Sequence, residues 1–178
     1  MKVRDIYALS VDYDPKQEIT REFFATVQNK LHYAVHGMTA AELIVSRVDS
    51  EKDNMGLTTY DGESVRQSDV TIAKNYLSRA ELEDLNRIVT MFLDHAEDMA
   101  RQRTPMYMND WMASLNEFLT FRRRNILQGS GKISNTDMER LALAEYAKFH
   151  TRRLKAPEQT DNDDSIVDDL NDAAKSKK

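Results

Sequence analysis

Residues 23–47, FFATVQNKLHYAVHGMTAAELIVSR, decide the fold. Phe23, Phe24, Val27, Leu31, Ala34 and Val35, with Ile19 before them, recur at a period near 3.6, the spacing of a buried helical stripe. Gly37 ends that helix, because glycine enters the left-handed closing conformation without a Cβ penalty. Thr39 followed by Glu42 is a capping box, so a second helix, through about Val48, starts almost at once and must turn sharply from the first. Two helices joined this tightly point to an all-α architecture.

Polar residues border the stripe. Gln28, Asn29, His32 and His36 fall near one another, because steps of three and four return to the same helix face. His32, one step round from Leu31, belongs at the boundary of core and solvent. It is expected to bond one partner from residues 39–47 or 54–69 and to leave its other ring nitrogen open to a ligand. His32, Asn29, Lys74 and Glu42 are therefore the candidate catalytic residues, with Gln28 and His36 as ligand-binding companions. His32 and His36, with Glu42 across the junction, also have a spacing that zinc accepts. Tyr33 stands where a metalloprotease motif needs glutamate, so no metal is expected, and the plain reading of His36 is a cap on the helix C-terminus.

Outward from this stretch, residues 49–67 are polar, with turn signals at Asn54-Met55-Gly56 and Asp61-Gly62, and read as a long loop with at most a small hairpin. A loop of that length is a candidate lid or contact surface. Ser68 or Asp69 caps a short helix through Leu77, and Ser78 with Glu81 caps a long one. Leu82, Leu85, Val89, Phe92, Leu93, Ala96 and Met99 form the inner face of that long helix, with His95 on a solvated acidic face. After Thr104-Pro105, Met108, Trp111, Met112, Leu115, Phe118 and Leu119 face inward until Gly129 and Gly131. Ser134 caps a final helix carrying Met138, Leu141, Ala142 and Phe149. The expectation is one domain over residues 1–156, an all-α bundle of about six helices around one core, and a disordered acidic tail over residues 157–178.

The 178 residues carry a formal charge of −5 and contain no cysteine, which excludes disulfides, thiolate metal sites and a cysteine nucleophile. Most of the charge lies in the tail, where seven acidic side chains face three lysines. Arginines gather earlier, at Arg122, Arg123 and Arg124 above all, as candidate ligand-binding residues for weak nucleic-acid contact. No apolar run approaches the length of a membrane span, so no membrane partner and a cytoplasmic location are expected. The chain has no GxxxxGKS, GxGxxG or GxSxG motif. No cofactor is expected.

Together with NMGLTT (54–59), DVTIAKNYL (69–77) and TPMYMNDW (104–111), the opening stretch resembles the RhuM family of virulence-associated bacterial proteins, over most of residues 5–150. The resemblance implies a bacterial virulence protein linked to mobile elements, whose relatives usually carry a preceding half resembling a helix-turn-helix DNA-binding region. Val3, Ile6 and Tyr7 have helical spacing with no N-cap before them, so the chain is expected to be a C-terminal domain on its own or a shortened relative. Its partners would be that upstream region, another chain, or a second copy of itself. Some relatives share a name with AMP-transferring proteins, but the HxFxxGNGR loop such catalysis requires does not occur.

Two functions follow. One is an interaction or regulatory module. The alternative is an enzyme acting on nucleic acid or a nucleotide through a His/Asn/Lys pocket. Geometry separates them, since an enzyme would bring His32 and Lys74 together in a concave pocket, whereas a module would hold them apart and expose an apolar patch.

Overall fold

Helix-forming stripes and the caps that bound them account for the architecture of the computed structural model, which describes residues 10–155 apart from residues 15, 17, 103 and 104. The first helix, α1 (Glu18–His36), closes through Gly37, whose φ of +77° suits glycine and whose N–H donates to the Tyr33 carbonyl at 2.9 Å. Thr39 then caps α2 (Ala40–Arg47) as its sequence pattern predicts. The Glu42 N–H donates to Thr39 Oγ1, and the Thr39 N–H to Glu42 Oε2. A 3-10 turn (Ala73–Tyr76) leads to α3 (Arg79–Arg101), capped reciprocally by Ser78 and Glu81. Two helices follow, α4 (Met108–Phe121) and α5 (Asn135–Lys155).

Among the described residues there are five α-helices and no strand, rather than the expected six or so helices. The helix expected over residues 69–77 is the 3-10 turn, because its carbonyls serve the preceding loop. The Asn75 carbonyl accepts from the N–H groups of Thr58 and Thr59, and Thr58 Oγ1 donates to the Leu77 carbonyl at 2.6 Å. The expected N-terminal helix and the acidic tail lie outside the described residues.

Two buried clusters replace the single expected core. Phe23, Val27, Leu31, Ile88, Phe92, Trp111 and Leu115 join α1, α3 and α4. Leu43, Ile44, Met55, Leu57, Val70, Tyr76, Met138 and Phe149 join α2, the loop, the 3-10 turn and α5. Leu85 packs against both. Each large apolar side chain so buried contributes about 1.5–3 kcal/mol.

Residues 49–67 are not a free lid. Met55, Leu57 and Val65 are buried, Asp49 N–H donates to the Met55 carbonyl, and Gly56 passes against α2 so closely that an added Cβ would lie 2.1 Å from the Arg47 carbonyl oxygen. The Asp61-Gly62 segment is a bend and not a hairpin. The expected face of α3 holds: Phe92 and Ala96 are buried and Leu85, Val89, Leu93 and Met99 pack against the same cluster, with Ile88 added at its centre. Two further readings shift. Leu141 is 39 % exposed, while Met138, Ala142 and Phe149 face inward. α4 stops at Phe121, well before Gly129, because Arg123 takes a left-handed conformation (φ 55°) and Arg124 N–H donates back to the Leu119 carbonyl.

Candidate functional site

A cleft of about 500 Å³ opens where the two clusters meet. Its floor takes Leu31 and Val89 from the first cluster and Ile44, Leu82 and Met138 from the second, with Leu85 between them. Polar side chains surround that floor. α1 supplies Gln28 and His32, one helical turn apart; Lys74 comes from the 3-10 turn, Asn86 from α3, and Asn135 and Glu139 from α5. Gln28, His32 and Lys74 are thus brought together in one concavity, the arrangement expected of an enzyme rather than of a module that holds them apart.

The other sequence-predicted residues do other work. Asn29 points to the neighbouring face, where its Oδ1 accepts the Ala40 N–H at 3.1 Å and helps close the N-terminus of α2. Both oxygens of Glu42 are engaged as well, one by the Thr39 N–H at 2.8 Å and one by the Lys132 N–H at 2.7 Å. These backbone donors, Thr39 first, hold its carboxyl below the usual range. Neither Asn29 nor Glu42 lines the cleft, so the expected catalytic quartet reduces to His32 and Lys74. Asn29 and Leu127 instead border a separate depression with residues 129–135.

His32 finds its partner on its own helix, not on residues 39–47 or 54–69. Its Nδ1 lies 3.0 Å from His36 Nε2, so His36 bonds a side chain in place of capping the helix. Burial, and second the neighbouring His36, push the His32 pKa down to about 4. His36 is also lowered, chiefly by burial, although Glu81 acts in the opposite direction. Both rings are therefore neutral at neutral pH. With His32 and His36 bonded directly to each other and Glu42 engaged elsewhere, the three residues with zinc spacing do not converge.

Beside this pair runs a feature that the sequence analysis missed. Arg47 forms a forked ion pair with Glu81, at 2.7 and 2.5 Å, and also donates to the Tyr76 carbonyl at 2.6 Å. The Arg47 guanidinium holds the Glu81 carboxyl down to about 2. Each residue reads locally as a helix-end charge or a capping residue, and nothing in the sequence links positions 34 apart. Lys30 was missed too. It is 9 % exposed, donates from Nζ to the Leu127 carbonyl at 3.1 Å, and has its pKa lowered by burial.

His95, expected on a solvated face, is partly buried, with Nε2 3.0 Å from the buried Ser114 hydroxyl and its ring stacked on Phe118. The arginine cluster divides. Arg124 pairs with Asp84 at 2.7 Å, Arg122 and Arg123 are exposed beside the 81 % exposed Phe121, and none of the three lines the cleft.

A family model described as the virulence protein RhuM family matches residues 1–157. No curated protein and no solved structure matches the chain. The match spans every described element, from the segment before α1 to the end of α5. The chain belongs to the RhuM family of virulence proteins.

Proposed function

We propose that this domain is a regulatory module that binds a small molecule in the cleft between α1, the 3-10 turn, α3 and α5. One observation carries this reading: Gln28, His32 and Lys74, from two separate elements, line one concavity whose apolar floor joins both core clusters. A ligand seated there touches both halves of the molecule, so its binding energy acts on how firmly they hold together.

Binding is favoured over catalysis by the residues available. A general base needs proton affinity near the working pH, and His32 is depressed to about 4 with Nδ1 already bonded. Of the other candidates, Asn29 and Glu42 face elsewhere, which leaves Lys74 alone beside His32.

The test is a thermal-shift screen of the chain against mononucleotides, free bases and small aromatic carboxylates. A ligand at a hundred times its Kd adds about 2.7 kcal/mol, which is several degrees for a domain of this size. A compound that raises the midpoint in the native chain and not in Lys74→Met supports the proposal. No response to any compound, or equal responses in the two proteins, overturns it.

A further inference from the structure

We propose that the cleft takes a small organic anion with an apolar body, because a two-histidine relay fixes His32 as an N–H donor toward the cleft and Lys74 lines the same wall. This rests on the cleft being the functional site and adds the chemical class of its ligand.

The relay follows from counting protons. His36 Nε2 is bonded to His32 Nδ1, and His36 Nδ1 is buried with no hydrogen-bond partner among the described residues. A neutral imidazole carries one N–H, so only one of the two rings donates across the 3.0 Å gap. If His32 Nδ1 donated, the His36 proton would sit on Nδ1, as a buried N–H with no acceptor. If His36 Nε2 donates, the unpaired group is a lone pair, a more common defect in folded proteins than an orphaned donor. The second arrangement is therefore preferred, and it places the proton of His32 on Nε2. That nitrogen has no hydrogen bond with a described residue, and its side chain lines the cleft. Burial keeps both rings neutral, so the donor is uncharged and does not depend on protonation near pH 7.

The rest of the lining fits the same ligand. Lys74 makes no ion pair with a described residue and is exposed at the cleft wall, while the amides of Asn86 and Asn135 lie on the same lining. Glu139 is the single carboxylate among the lining residues and opposes an anion. Phosphate and carboxylate both satisfy this donor set, and matched ligand pairs separate them.

The experiment combines two readings on the whole chain. Long-range nitrogen–proton correlation spectra of the histidine rings report which nitrogen carries the proton, and both His32 and His36 should be protonated on Nε2. Titration with AMP against adenosine, and benzoate against benzylamine, reads the charge preference with the ligand body nearly constant. At least one anion should bind about tenfold or more tightly than its partner, and whichever does identifies the phosphate or the carboxylate source. Lys74→Met should abolish that ratio, and Glu139→Gln should increase it. His32 protonated on Nδ1, or adenosine and benzylamine binding as well as the anions, overturns this proposal and leaves the cleft reading intact. Absence of binding by all four overturns both.

Discussion

His32 shows how far one side chain's role depends on neighbours that lie nearby in sequence and still escape prediction. Its helical position places it at the core edge, but the bond to His36 and the depth of burial set its chemistry. The consequence for stability has a definite sign. The folded-state pKa of about 4 lies below the ordinary 6.5, so protons bind the unfolded chain more tightly and stability falls as pH drops below 6.5, levelling off under about 4. Between pH 7.5 and 5 this group alone removes about 2 kcal/mol by the linkage relation. Glu81, held at about 2, adds its own loss only below about 4.5, so the two windows are separable. Urea unfolding at pH 7.5 and 5 should show the loss in the native chain and a clearly smaller one in His32→Gln. An equal loss in both proteins would remove His32 from the account.

The helices of this protein were legible because their ends are written in short-range chemistry. Thr39 with Glu42, Ser78 with Glu81, and the cap at Ser134 are local signals, and each forms, the last by accepting the Asp137 N–H. What failed to show was long-range. Residues 49–67 look like a polar loop, yet Met55, Leu57 and Val65 anchor it in the second cluster, and no periodicity announces three isolated apolar residues. The Arg47–Glu81 pair, the engagement of Glu42 by Lys132, and the turn of α4 at Arg123 each depend on a distant segment or an unusual backbone state. The site was therefore half visible: Gln28, His32 and Lys74 could be named from sequence, whereas Asn86, Asn135 and Glu139 needed the packing of α3 and α5. Gly56 tests the anchored loop. Its φ is +80° and an added Cβ meets the Arg47 carbonyl, so Gly56→Ala should cost about 2 kcal/mol or more. Chemical denaturation followed by the fluorescence of Trp111 would measure it, and a change under about 0.5 kcal/mol would mean that the loop tolerates displacement.

Across the whole molecule, two clusters meeting at Leu85 form the folded domain, and the cleft lies along their meeting line. No described helix is long and apolar enough to cross a membrane. The acidic stretch 157–178 contributes only Ile166, Val167 and Leu170 as large apolar groups, so its removal should leave the thermal midpoint within about 4 °C, and a larger drop would mean that it docks on the domain. The central claim is that the line between the clusters is a binding site, and methyl-resolved NMR during titration with AMP and benzoate addresses it most directly. The account predicts saturable shifts at Leu31 and Val89 on one side and at Ile44, Leu82 and Met138 on the other, moving together with Leu85. Shifts confined to the region around Phe121 and Arg122, or none with either compound, would contradict it.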